Sequence, residues 1–279
     1  MPEGDTVWLA ARRLHAALAG QPLTLSDFRV PQLATTSLVG QTVLEVLPRG
    51  KHLLTRLSSG LTLHTHLRMD GSWHLYVPGA RWTGGPDWQV RVVLANASAV
   101  AVGYRLPVVE LVSDEATVVG HLGPDVLDDA FDLDEAVRRI GAAPDREIGP
   151  ALLDQRNLAG IGNLYRTEVL FLSGVTPWAR VYDVDVPAVV RRAVRLMRAN
   201  REHWQQTTTG SLRPGEDHWV FERSGLPCRR CGARVLLAEQ GEAPYARLTY
   251  WCGACQRGPA PVPMARRPPA PRGRTRYRP

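Results

Sequence analysis

The chain is poor in lysine, cysteine, methionine and aromatic side chains. Of its 34 basic residues only Lys51 is lysine, and the other 33 are arginine. Its four cysteines all fall within 28 residues near the C-terminal end, which excludes the dispersed disulfide framework of a small secreted domain. No run approaches the roughly 18 apolar residues that span a bilayer. The start, Met1-Pro2-Glu3-Gly4-Asp5-Thr6, lacks the basic and apolar regions of a secretory leader. A cytoplasmic protein with no membrane partner is expected.

What is present is enough for two modest domains with real cores: 279 residues, 44% hydrophobic and 22% charged. The formal charge of +7 invites a nucleic-acid reading. Residues 1–256, however, sum to zero, and the whole excess comes from residues 257–279, with seven arginines, seven prolines and no acid. That segment cannot bury a core and is expected to be a disordered Arg/Pro-rich tail, either an electrostatic arm or a solvated extension. Residues 101–150 carry −7 between mildly basic flanks. The arginine excess has the look of coding bias, so the surviving Lys51 is either a chance surface residue or one whose ammonium chemistry a guanidinium cannot supply.

Hydrophobic periodicity predicts a helix over 5–19, with Val7, Trp8, Ala11, Leu14 and Leu18 on one face and Gly20 past its end. Short runs at 41–47, 51–57, 61–67, 72–77 and 89–94, punctuated by Gly-containing turns, predict strands of an antiparallel sandwich or barrel. Asp70-Gly71 reads as a hairpin turn. From about residue 130 an acidic connector gives way to helical patterns near 135–141, 151–156, 164–173 and 187–204. The expected fold is α+β and multidomain: a β-sandwich with an N-terminal helix over 1–128, a helical domain over 129–222, a finger over 223–256 and the tail over 257–279.

Cys228 and Cys231 form one CxxC pair and Cys252 and Cys255 another, with 20 residues between them. Two such knuckles place four thiolates around a tetrahedral ion, so one structural Zn²⁺ is expected, held in a ribbon whose strands are 234–237 and 246–251. With no ligand to spare, the site is closed. The alternative is a pair of disulfides, disfavoured in a cytosolic chain.

At the other end, removal of Met1 before a small residue would expose the secondary amine of Pro2 at the positive end of a helix, a nucleophile toward an aldehyde-level carbon, with the Glu3 carboxyl beside it. Read alone, this is an ordinary start. Pro2-Glu3-Gly4, Arg49-Gly50-Lys51, Leu153-Asp154-Gln155 through Ala159-Gly160-Ile161-Gly162-Asn163-Leu164-Tyr165, and a terminal CxxC ribbon nevertheless occur in this order. Together they closely resemble the formamidopyrimidine-DNA glycosylase and endonuclease VIII family of DNA repair enzymes, over residues 1 to about 256.

The resemblance implies a bifunctional DNA glycosylase and AP lyase acting as a monomer on damaged double-stranded DNA, nucleoid-associated when bound. It implies that Pro2 is the nucleophile forming an iminium at C1′, that Glu3 protonates the sugar, and that Lys51 contacts phosphate and assists catalysis. Asn163, after the Gly160-Ile161-Gly162 turn of a helix-two-turn-helix, and Arg247 in the ribbon would hold phosphates, the Gly-rich turn through Gly162 with Asn163 as the helix cap presenting backbone N–H groups to an anion. Met69, near an exposed loop, is either a wedge for the gap left by an extruded base or a core methionine folding back. Leu67-Arg68-Met69 resembles the family's void-filling loop and favours the wedge. His64 and His66 are expected to pack or face solvent rather than bind metal.

Gly4 after Glu3 resembles the endonuclease VIII branch, although Asp5-Thr6 matches neither branch fully. The Arg-Arg-Phe-Gly segment of the formamidopyrimidine branch is missing from Gly103-Tyr104-Arg105-Leu106-Pro107-Val108. Oxidised pyrimidines removed with β,δ-elimination are therefore the expected chemistry. The alternatives are a formamidopyrimidine or 8-oxoguanine glycosylase of the same family, and a zinc-ribbon DNA-binding protein that has lost catalysis.

Overall fold

A computed structural model describes residues 2–243 and 246–264. The chain divides into two compact units after Leu122. That is six residues before the boundary read from composition, because the acidic stretch is structured: the Asp125 side chain accepts from the Leu127 N–H, Val126 N–H donates to Ala159, and Asp132 caps a helix.

The first unit opens with α1, Gly4–Leu18. Val7, Ala10, Ala11, Leu14 and Leu18 are its buried face, while Arg12 and Arg13 point to solvent. Two four-stranded antiparallel sheets follow. One has the order β2-β3-β4-β8 and the other β1-β6-β7-β5. The strands of the first sheet are β2 Val43–Arg49, β3 His52–Leu57, β4 Thr62–His66 and β8 Val108–Val112. Those of the second are β1 Leu25–Phe28, β5 Ser72–Tyr76, β6 Val90–Ala95 and β7 Val100–Tyr104. Val46, Leu53 and Leu63 from one sheet share a core with Phe28, Trp73, Val92 and Ala101 from the other, and with the apolar face of α1. Each buried leucine there contributes about 2 kcal/mol.

Asp70-Gly71 does not make a hairpin. β4 and β5 belong to different sheets, and the chain crosses between them in a five-residue turn closed by Gly71 N–H donating to the Leu67 carbonyl, 2.8 Å. A Cβ at Gly71 would lie 2.6 Å from that carbonyl oxygen, so glycine is demanded by closeness, not by a two-residue hairpin.

In the second unit α3 Leu133–Gly141, α4 Ile148–Leu153, α5 Asn163–Leu172 and α6 Val186–Asn200 follow the short α2, Ala116–Val119, of the first. Asp132 and Asp185 cap α3 and α6 by accepting from Glu135 and Ala188 N–H. α6 stops at Asn200, four residues short of expectation, because the Asn200 amide both accepts from Thr207 N–H and donates to the Thr207 carbonyl. Strands β9 Leu236–Gln240 and β10 Arg247–Trp251 form the ribbon hairpin.

Within the expected tail, Arg257, Pro259 and Met264 are hydrogen-bonded to the rest of the second unit. Arg257 exchanges backbone hydrogen bonds with Gly174 and Thr176, Thr176 donates to Pro259, and Met264 N–H donates to Leu237. Polar backbone pairing, which needs no apolar core, ties this stretch down. The rest of that expectation, from residue 265, lies outside the described residues.

Candidate functional site

In the first unit Glu3 is the N-cap residue of α1. Its backbone is extended, its carbonyl accepts from Val7 N–H at 3.1 Å, and its side chain makes no cap bond to the helix. The residue is 1% exposed. Pro2, half-buried, immediately precedes it at the positive end of a 15-residue helix. Lys51 sits with Gly50 on the two-residue tip joining β2 to β3, closed by the pair Arg49 and His52. Gly50 has φ +56, which glycine adopts without a Cβ penalty.

The loop after β4 exposes Met69 at 54%, so the core alternative is excluded. Arg68 before it holds φ +48. Arg105, itself at φ +50, donates from Nε to the Asp70 carbonyl, 3.0 Å, and braces the loop. Arg68, Met69, Arg91 and Arg105 line a groove of about 340 Å³, a basic surface around an exposed apolar side chain.

Sequence reasoning missed a chain of imidazoles behind Lys51. Nδ1 of His52 lies 2.8 Å from Nε2 of His64, and Nδ1 of His64 lies 2.7 Å from Oε1 of Glu110. His66 Nδ1 accepts from Arg68 N–H, 2.9 Å. Burial pushes His52 down to about 3 and His66 to about 4, with neighbouring cationic groups adding to both. His64 is therefore neither solvent-facing nor simple packing. The signal was the histidine spacing at 64 and 66, but the partner Glu110 lies 46 residues away and enters only through the β4–β8 pairing.

In the second unit the turn before α5 is held by Gln155, which accepts from Gly160 N–H and donates to the Ile161 carbonyl. Gly160 has φ +100. Gly162 is the N-cap residue of α5, and Asn163 is its first helical residue rather than the cap. Asn163 Nδ2 donates to the Leu248 carbonyl at 2.9 Å, and its Oδ1 accepts from Arg166 at 2.5 Å. The fully buried Arg166 also donates to Gln240 and Thr249, so Asn163 is locked to strand β10. Arg247 starts that strand, opposite Gln240, and is exposed. Glu168, missed in the sequence, is fully buried and accepts from the N–H groups of Trp219, Val220 and Phe221 and from the Thr208 hydroxyl.

The sulfurs of Cys228, Cys231, Cys252 and Cys255 all lie within 4.8 Å of one another, the one such cluster among the described residues able to hold a metal ion. All four are free thiols. Burial pushes Cys255 up to about 12, while a backbone N–H helps hold Cys231 down at about 7. Four crowded sulfurs cannot all ionise without a cation among them.

Comparison with known proteins matches residues 1–105 to the formamidopyrimidine-DNA glycosylase N-terminal domain and residues 122–209 to the formamidopyrimidine-DNA glycosylase H2TH domain. A protein of Streptomyces coelicolor described as probable endonuclease 8 2 is 55% identical over 95% of this chain and 98% of its own. The DNA-(apurinic or apyrimidinic site) lyase Nei2 of Mycolicibacterium smegmatis is 42% identical over 92% and 99%. Among solved structures, a complex of the Lactococcus lactis Fpg with DNA containing an abasic site superposes with a TM-score of 0.74 at 22% identity, over 92% of this chain and all of that one. No described helix is long and apolar enough to cross a membrane.

Proposed function

This chain belongs to the formamidopyrimidine-DNA glycosylase family, and from that premise we propose that it is a bifunctional DNA glycosylase and AP lyase of DNA repair, taking oxidised pyrimidines from double-stranded DNA as a monomer. The observation that carries the reading is Pro2 directly before a helix whose N-cap residue is the buried Glu3. Once Met1 is removed, the Pro2 nitrogen is a secondary amine facing the positive helix end, which disfavours its protonated form.

The amine lone pair forms a bond to C1′ as the damaged base leaves. Loss of the proton on nitrogen leaves a neutral aminal; Glu3 then gives a proton to the ring oxygen of the sugar as the C1′–O4′ bond breaks, and the nitrogen lone pair closes the iminium. Removal of a C2′ proton then breaks the 3′ phosphate ester, and a second elimination breaks the 5′ ester. Lys51 at its hairpin tip, Asn163 among the backbone N–H groups that open α5, and the exposed Arg247 hold phosphates. Arg68 and Met69 fill the gap left by the extruded base.

The ribbon residues fit zinc. A tetrahedron with Zn–S of about 2.3 Å needs sulfurs about 3.8 Å apart, and Cys228 to Cys255 measures 3.9 Å and Cys231 to Cys252 3.5 Å. With four thiolate ligands and no open position, bound zinc supplies rigidity to the hairpin that carries Arg247.

Iminium chemistry needs an amine, and this chain offers its N-terminus and Lys51. Borohydride reduction with duplex DNA carrying dihydrouracil or thymine glycol is expected to yield a covalent adduct that survives Lys51→Ala and disappears when the N-terminal amine is blocked. Mass measurement of the N-terminus first establishes that Met1 is gone. No adduct on pyrimidine, purine or abasic DNA overturns the enzyme reading. An adduct confined to 8-oxoguanine opposite cytosine moves the assignment to purine lesions.

A further inference from the structure

The outer face of the β2-β3-β4-β8 sheet carries a line of titratable side chains that the reaction above does not use. Glu110 on β8 stands opposite His64 on β4 in the strand register, and His52 on β3 stands opposite His66. The His52 and His64 rings stack at 5.0 Å and 19°, and His52 meets the edges of His66 at 4.9 Å and His121 at 6.1 Å. His64 is 3% exposed, whereas the Glu110 side chain is 45% exposed. The line therefore runs from a buried ring to solvent at one end, and to the residue after Lys51 at the other.

Its hydrogen bonds have one consistent polarity. An ionised Glu110 only accepts, so Nδ1 of His64 carries a proton and donates to it. A neutral His64 then presents a bare Nε2, which must accept from Nδ1–H of His52. That leaves Nε2 of His52, on the residue that follows Lys51 in the chain, as an unprotonated nitrogen. Burial disfavours a charge resting on the His52 ring, and a charge on any of its neighbours His66, His64, His121 and Arg68 disfavours it further. Lys51 in turn is close enough for its charge to act on His66.

We propose that His52, His64 and Glu110 form a proton relay that drains the reaction site beside Lys51. The inference rests on the function proposed above, where the attacking amine and C2′ both release protons while Glu3 has the opposite task of giving one. A released proton bonds to Nε2 of His52. The Nδ1–H bond of His52 breaks as its proton passes to Nε2 of His64. His64 becomes an imidazolium held against the Glu110 carboxylate, and His52 is again neutral with its proton on the other nitrogen. The charge has moved one residue away from the site, to a ring whose counter-ion reaches solvent. His52 is the acceptor, and His64 and Glu110 are positioning residues acting through it.

Single-turnover cleavage of duplex DNA with a preformed abasic site at neutral pH tests this without the base-removal step. Glu110→Gln keeps an acceptor but removes the charge that stabilises the imidazolium, and is expected to slow elimination about tenfold. His64→Gln bridges the gap without carrying a proton. It is expected to slow elimination about 10- to 100-fold, while borohydride still traps the Pro2 adduct. An unchanged rate in both variants, or a trapped adduct that is lost in step with the rate, overturns the relay and leaves a packing cluster. Nitrogen-15 spectra of the wild-type rings give a reading independent of activity. His52 protonated on Nδ1 with a bare Nε2 at neutral pH supports the relay, and the opposite tautomer overturns it even in an active enzyme. Wild type that cleaves no abasic DNA overturns the function instead, and the spectra still judge the hydrogen-bond chain.

Discussion

The two units spend their polar side chains differently. Up to Leu122, the groups proposed to attack the sugar or meet the DNA stand at ends and tips: Pro2 before a helix, Lys51 on a two-residue turn, Met69 54% exposed on a crossing loop. From Gly123 onward the defining polar residues are struts. Arg166 ties α5 to the ribbon, Glu168 gathers three consecutive N–H groups of the segment before it, and Gln155 staples the turn that starts α5. A tip can be altered with little effect on folding, whereas a strut cannot.

The sharpest way to break the comparison is to deny the ribbon the zinc that its four cysteines are proposed to hold. Apparent binding free energies of structural zinc run to about 10–16 kcal/mol, and the ribbon's apolar cluster amounts to Trp178, Ala238 and Trp251 with Leu236 against them. Chelation, or Cys252→Ser, is expected to abolish hydrogen-exchange protection in β9 and β10 and to release one zinc per chain by elemental analysis. Protection that survives would mean that the struts alone hold the hairpin.

Next in size is Glu168→Ala. It leaves the N–H groups of Trp219, Val220 and Phe221 without their acceptor inside the protein, and breaking a buried charged network costs about 3–5 kcal/mol. Urea unfolding should show that loss. Glu168→Gln keeps an acceptor oxygen and should cost roughly half as much. A change under about 1 kcal/mol for the alanine variant would move Glu168 out of the strut class.

The first unit has its own stability signature, in pH. His52 and His66 are held near 3 and 4 in the folded chain against 6.5 unperturbed, burial being the main cause. The unfolded chain therefore takes up these protons first, so stability is full above about pH 7 and falls as pH drops from 6.5 toward 4. The loss should be on the order of 3 kcal/mol after allowing for partial exposure of both rings. Urea midpoints at pH 7, 6 and 5 measure it, and a double substitution of both histidines by glutamine should flatten the slope.

Much of this was readable in advance, and the failures have physical causes. α1 was legible because its apolar residues repeat at helical spacing, and the cysteine cluster because CxxC spacing is a geometric statement. β7 was not, since Val100-Ala101-Val102-Gly103-Tyr104 is buried on both faces and shows no alternation. β8 was missed because its pairing with β4 is non-local, and with it went Glu110. Asp70-Gly71 misled because a turn dipeptide cannot say which sheet the next strand joins. Asn163 drew attention through its motif, yet its bond to Leu248 joins residues 85 apart and had no sequence signal.

The smallest expected effect on stability is the most discriminating. Met69→Ala removes a side chain that is 54% exposed, so the unfolding free energy should change by no more than about 0.5 kcal/mol. The loop itself is closed by backbone, through Gly71 and Leu67, and braced by Arg105 on the Asp70 carbonyl, none of which needs the methionine. If Met69 fills the gap left by an extruded base, its loss makes extrusion less favourable by the value of that contact, about 1–2 kcal/mol or roughly tenfold in rate. Excision of an oxidised pyrimidine should therefore slow about tenfold. Cleavage at a preformed abasic site, which has no base to extrude, should slow less. Equal slowing of both would mean that Met69 acts on DNA binding as a whole, and a loss of stability would place it among the struts.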